Sequence, residues 1–240
     1  INDDDDDDII DKRVLEQHIR TKIWIFPMLN DQRRNRMYEK AIKLASKQVI
    51  SKIDFWLTRL RYPYYQYENN NILPTLDIGS GTGLLAMMSA KFLSQEVLLQ
   101  PQKQKYDRDN NTIIAIDTIQ ISSFEMANPM AKLAQCIIAL DMNNDNNNNN
   151  VNVNVNVKEG HSCQIPPMNN NANNMNTDGT TEGAMFCTSE LLESGLLGEG
   201  WLPAMRDAWQ RHLHPWAVVV PQQARIYAQL IGRSSTDTST

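Results

Sequence analysis

The chain has 240 residues, 41% of them hydrophobic, with a formal net charge of -5 at neutral pH. That supports one ordinary core with room for inserts, and an acidic chain with "DDDDDD" near its start offers no electrostatic footprint for gripping nucleic-acid phosphates. Its cysteines, Cys136, Cys163 and Cys187, form neither a CxxC pair nor a disulfide framework, which fits a reducing intracellular compartment, cytoplasmic or nuclear.

The opening "INDDDDDDIIDKR" lacks the basic region and apolar core of a signal peptide, and no apolar run is long enough to span a bilayer, so a soluble protein without a membrane partner is expected. The first residue is not methionine, which points to a fragment or a processed gene model. Helical spacing covers Asp11 to Ile50, with Ile42, Leu44, Ala45, Val49 and Ile50 forming one apolar stripe. Asp54 to Asn71 reads as a helix end and linker, and its tyrosines, Tyr62, Tyr64, Tyr65 and Tyr67, lack the basic interleaving of a base-stacking surface. The run "ILPTLDIGSGTGLLAMMSAKFL" then predicts strand, tight glycine turn and helix, the opening of an α/β unit.

A second such unit follows, with a strand over Ile113–Phe124 and a helix over Ala127–Ile138 carrying Pro129 in its first turn. Asn143–Asn150 and Met168–Asn176 read as Asn-rich surface inserts. The alternation in Val151–Val157 predicts a strand, although a drifting repeat writes the same letters. "AMFCTSE" is expected as a fourth strand, "LPAMRDAWQRHL" as an amphipathic helix, "AVVVP" as a fifth strand and "ARIYAQLI" as a sixth. Alternating β and α elements specify a doubly wound, Rossmann-like parallel sheet. The expected domains are a helical lid over residues 11–53, a ligand-binding sheet domain over 72–221, and a further segment over 222–240.

The glycine turn carries the strongest chemical signal. Asp77, Gly79, Gly81 and Gly83 lie between a strand and a helix, where backbone approaches a ligand that any side chain would obstruct. The spacing is G-x-G-x-G with an acid two residues before, not the dinucleotide G-x-G-x-x-G. It resembles motif I of S-adenosylmethionine-dependent methyltransferases. The second unit should then supply an acid for a ribose diol, and Asp117 and Glu125 both qualify. Glu190, Glu193 and Glu199 crowd "SELLESGLLGEG" among leucines and glycines, an arrangement that asks for a cation. A solvated loop with an N-cap is the plain alternative. His161, a lone histidine beside a loop, implies backbone contact only, and His212 and His214, at a helix end where cations offset the macrodipole, suggest no metal.

The pieces "MLNDQRRNRMYEKAI", "LDIGSGTGLLAMMSAK", "FEMANPMAKLA", "SELLESGLLGEGWLP" and "VVPQQARIYAQL" stand in the order and spacing of protein arginine N-methyltransferases, and the chain looks most like their tandem-domain, monomethylating (type III) branch. The resemblance covers most of Ile25 to Ile231. It implies S-adenosylmethionine as cofactor, contacted by Met28, Arg34, Asp77, Gly79, Gly81 and Gly83, with Arg34 on the methionyl carboxylate and Glu125 on the ribose. It implies that Glu190 and Glu199 clamp the substrate guanidinium, with Glu193 as a loop residue. Implied partners are arginine-containing proteins, histones or RNA-binding proteins among them. Two carboxylates suit a planar guanidinium, which offers forked donors on two edges.

The family continues after its "VVP" strand into a β-barrel that supplies an active-site loop and a dimerisation arm. Only its first strand is expected here, and dimer or tandem pseudo-dimer formation would depend on it. The family's adenine-side glutamate has no clear counterpart, Gln164 standing near its place. A methyltransferase acting on another substrate and a non-catalytic regulatory module are the competing expectations.

Overall fold

The apolar run before the glycine turn forms β1 (Ile72–Ile78), the central strand of a five-stranded parallel sheet in the computed structural model. Residues 12–23, 25–55, 72–99, 116–144, 151–168, 183–192 and 198–230 are described. Chain order is α1 (Lys12–Thr21), α2 (Ile25–Asn30), α3 (Gln32–Phe55), β1, α4 (Leu84–Leu99), β2 (Thr118–Glu125), α5 (Asn128–Asn144), β3 (Asn152–Glu159), β4 (Ala184–Ser189), α6 (Trp201–Arg211) and β5 (Leu213–Val220). The sheet order β3-β2-β1-β4-β5 reverses direction at β1, the switch point at whose carboxyl end open α/β sheets bind ligands. The expected doubly wound sheet is present.

Strand periodicity divides the core between two faces. Leu73, Ile119, Ile121, Phe186 and Val218 pack with Ile42, Val49 and Ile53 of α3 and Leu85, Phe92 and Leu93 of α4. On the other face Leu76, Ile78, Phe124 and Cys187 meet Ala204, Met205 and Ala208 of α6. Gly83 serves this packing. A Cβ there would stand 2.7 Å from Ile138 Cδ1 on α5, so α4 and α5 approach only because the position is glycine.

Several elements differ from expectation. The entry helix is broken into α1, α2 and α3; Asp31 accepts the Arg34 N–H at 2.9 Å, an N-cap that starts α3 afresh. Leu44 is exposed, because it faces away from the stripe of Ile42, Ala45 and Val49. β2 begins at Thr118, leaving Asp117 just outside it. The helix α5 runs through Asn143 and Asn144, so the first two residues of that insert are helical. β5 starts earlier than "AVVVP" and includes Pro215. An irregularity between Ala184 and Phe186 absorbs the extra residues, and an edge strand tolerates proline.

The sixth strand does not form over 222–230, which carries no regular structure and leaves Ile226, Tyr227 and Leu230 exposed. Among the described residues no strand lies beyond β5 to pair with it. The tyrosine cluster at 62–67, Glu193, residues 145–150 and 169–176 of the inserts and the initial acidic run lie outside the described residues.

Candidate functional site

A cavity of about 570 Å³ opens at the carboxyl ends of β1, β2 and β4, and α1, α2 and the start of α3 supply its other walls. The glycine turn forms its floor. Gly79 and Ser80 both donate backbone N–H bonds to the Phe124 carbonyl, at 2.9 and 3.0 Å, folding the turn against the end of β2. Gly79 has φ +81, and a Cβ there would lie 2.9 Å from the Glu190 carbonyl oxygen. Only glycine lets the turn and the end of β4 come this close. Gly81 differs, because at φ +55 its added Cβ would meet nothing within 4 Å and would project into open space.

Glu125 ends β2 and lines the cavity. Its two carboxylate oxygens accept the N–H groups of Gly81 at 2.8 Å and Ala127 at 2.9 Å, tying the glycine turn to the start of α5. A carboxylate has further lone pairs for donors arriving from the cavity. Asp117 precedes the opposite end of the same strand, roughly 25 Å away at strand rise, so the two acids left open by the sequence are separated by topology.

The start of α3 reaches across to β4. Arg34 Nη2 pairs with Glu190 Oε2 at 3.2 Å, both side chains largely buried, and the guanidinium lies 5.1 Å from the Tyr38 ring centre. The Tyr38 hydroxyl donates to the Ser189 carbonyl at 3.4 Å. Burial raises the Tyr38 pKa, and the adjacent Glu190 carboxylate raises it further, against the pull of Arg34. Met28, Arg34, Gly79, Gly81, Glu125, Glu190 and Glu199 all line the one cavity.

Asp77 and Gly83 are not among the lining residues. Asp77 is fully buried below the floor, where it accepts hydroxyl bonds from Ser123 and Thr188, each at 2.8 Å, and so laces β1 to both neighbouring strands. Burial raises its pKa to about 6. Gln164 also lies outside the lining, in a short 3-10 turn, Ser162–Gln164. His161 is in the wall, its Nδ1 accepting the Cys163 N–H at 3.3 Å.

The end of α6 holds this wall from behind, a function the sequence did not reveal. Arg211 donates to the carbonyls of Cys163 at 2.7 Å and Ile165 at 2.6 Å. His212 Nε2 lies 3.1 Å from the Ser162 carbonyl, while its Nδ1 accepts the Met168 N–H at 3.3 Å. His212 and His214 are therefore not the helix-end cations expected. Both are buried, and burial lowers their pKa, for His214 to about 4. Only their place beside a helix end was visible in the sequence, and burial decides their charge.

No protein-family model matches the chain. The chain is 26% identical over 206 residues to protein arginine N-methyltransferase 7 of Oryza sativa subsp. indica, covering 85% of this chain and 21% of the relative. Identity is 24% over 209 residues to the arginine N(omega)-methyltransferase of Streptomyces achromogenes subsp. streptozoticus, covering 87% and 40%. The chain thus spans less than half the length of either curated relative. Among solved structures, Arabidopsis thaliana protein arginine methyltransferase 10 aligns with a TM-score of 0.46 and 19% identity, over 80% of this chain and 36% of that one. The chain resembles the protein arginine N-methyltransferases in sequence along most of its length.

Proposed function

We propose that the chain is the cofactor-binding part of a protein arginine N-methyltransferase, which moves a methyl group from S-adenosylmethionine to a guanidinium nitrogen of a protein arginine. The observation that carries this is the pairing of Glu190 with the guanidinium of Arg34 inside the cavity. A carboxylate that already seats a guanidinium beside a glycine turn is suited to seat a substrate's. The open space over Gly81 and the carboxylate of Glu125 fit a nucleoside-bearing cofactor. Glu125 would hold the ribose hydroxyls, Arg34 the carboxylate of the methionyl part, and Met28 would cover it.

When bound, S-adenosylmethionine supplies an electrophilic methyl on a sulfonium. Glu190 and Glu199 accept N–H bonds from the substrate guanidinium, draw its positive charge toward the nitrogens they touch, and leave the remaining nitrogen with its lone pair available. They also fix that nitrogen's position, which supplies much of the rate enhancement in a displacement of this kind. The nitrogen would gain the methyl as the sulfonium C–S bond breaks to leave a neutral thioether, and whichever glutamate carboxylate faces that nitrogen would accept the proton it sheds. Exclusion of water falls to the helical segment formed by α1, α2 and the start of α3. Residues 222–240 would lead into the barrel of such an enzyme. A cytoplasmic or nuclear setting accords with the unpaired cysteines, and among the described residues no helix is long and apolar enough to cross a membrane.

The test is incubation of the protein with labelled S-adenosylmethionine and an arginine-rich peptide, followed by amino-acid analysis. Methylarginine that disappears on Glu190→Gln is expected. Label on another residue, or tight S-adenosylhomocysteine binding with no transfer to any peptide, would overturn the assignment.

A further inference from the structure

The outer edge of β3 is built as a self-complementary strand. Asn152 donates its N–H to the Asp117 carbonyl and Gly160 its N–H to the Glu125 carbonyl, so the even-numbered residues of β3 bond inward to β2. The outward backbone groups then belong to Val153, Val155 and Val157. Gln135 of α5 confirms the parity, since its Nε2 donates to the Val157 carbonyl at 3.2 Å. Among the described residues no strand pairs with this side of β3.

Natural sheets guard such edges with charges, proline or bulges. This edge has none from Val151 to Val157. The two charges that follow are directed elsewhere. The Lys158 ammonium lies 6.0 Å from the Phe124 ring centre, and Glu159 Oε2 accepts from Asn128 Nδ2 at 2.6 Å. Val153 and Val155 remain half-buried, while Asn152, Asn154 and Asn156 are exposed on the opposite face.

We propose that β3 pairs antiparallel with β3 of a second copy of this chain, about a two-fold axis at Asn154. In that register Val153 of each copy faces Val155 of the other, and the two exchange their outward N–H and C=O groups. Asn154 faces its own counterpart, and Asn152 faces Asn156. The alternating sequence reads the same in both directions, so every valine meets a valine and every asparagine an asparagine. A partner of other sequence would have no such match. The Val157 carbonyl, already bonded to Gln135, stays outside the central exchange. The pairing joins two five-stranded sheets into one and continues the apolar face over α5.

Light scattering on the full chain after size exclusion should give a mass that doubles with rising concentration. Asn154→Lys and Asn154→Glu, each placing like charges across the axis, should hold the mass at monomer under the same conditions. An equimolar mixture of the two should recover the dimer, with far-UV circular dichroism unchanged throughout. Independently of any variant, the Val153 and Val155 amides should exchange more slowly as the wild-type concentration rises. A wild-type chain monomeric at every concentration, a dimer indifferent to both substitutions, a mixture that fails to associate, or growth past dimer would each overturn the proposal.

Discussion

Asp77 and His214 are buried in one sheet and their pKa values are shifted in opposite senses across the same pH range, so removing one exposes the other. The Asp77 pKa is raised from 3.8 to about 6, by burial foremost. The folded state therefore binds this proton more tightly than the unfolded chain, and the stabilisation is present in acid and lost as pH rises through about 6. Burial lowers the His214 pKa from 6.5 to about 4. Here the unfolded chain binds the proton more tightly, and stability is lost as pH falls below the unfolded value. Between pH 7 and pH 4 each contributes about 2 to 3 kcal/mol, with opposite signs, since a tenfold change in proton affinity is worth about 1.4 kcal/mol. Burial lowers the His212 pKa as well, which adds to the loss of stability on the acid side. Asp77→Asn keeps the size and can still bond Ser123 and Thr188, yet it removes the compensating titration. Urea unfolding at several pH values should show the variant losing about 2 to 3 kcal/mol more than wild type on acidification. His214→Gln should change the dependence the other way. Parallel curves for wild type and Asp77→Asn would refute the reasoning, as would a large loss of S-adenosylhomocysteine affinity at neutral pH, since Asp77 lies below the cavity floor.

Glu125→Ala removes the acceptor of two backbone N–H bonds and should weaken S-adenosylhomocysteine by roughly 1.5 to 3 kcal/mol in calorimetry, the range for charge-assisted bonds; Asp117→Ala should leave it unchanged. On the proposed function, Glu190→Gln and Glu199→Gln should each slow methyl transfer about thirtyfold to a thousandfold, while Glu193→Gln stays near wild type in the same radiometric assay. Gly81→Ala should reduce cofactor affinity, because its methyl projects into the open space of the cavity. Gly83→Ala should instead lower the thermal midpoint, because its methyl collides with Ile138.

Sequence patterning exposed the sheet well and the breaks in its helices poorly. β1 and its glycine turn were legible because an apolar run, an acid and three glycines must stand close together to build that corner. Asp31 starts α3 through a hydrogen bond to Arg34, but a single polar residue within a helical pattern is weak evidence for a break. The apolar run in "AVVVP" marks only the second half of β5, whose first half, with Pro215, lies beside an irregularity in the pairing with β4. In "ARIYAQLI" the pattern was strand-like, yet a strand also needs a neighbour to accept its hydrogen bonds, and local sequence does not say whether one is present.

The candidate site shows the same division between local and distant information. Spacing picked out Gly79 and Gly81 but left Asp117 and Glu125 both open, and only the family resemblance pointed to Glu125. Arg34 and Glu190 were each given a ligand from outside the chain, one anionic and one cationic. Their charges are complementary to each other as well, and the fold brings α3 across β4 so that they pair at 3.2 Å. Pairing spares each of these two largely buried charges the heavy desolvation cost of being buried alone. Under the proposed function, an anionic group engaging Arg34 would compete with Glu190 for it and would release that carboxylate toward a guanidinium. On that proposal, this one contact would couple the two halves of the site.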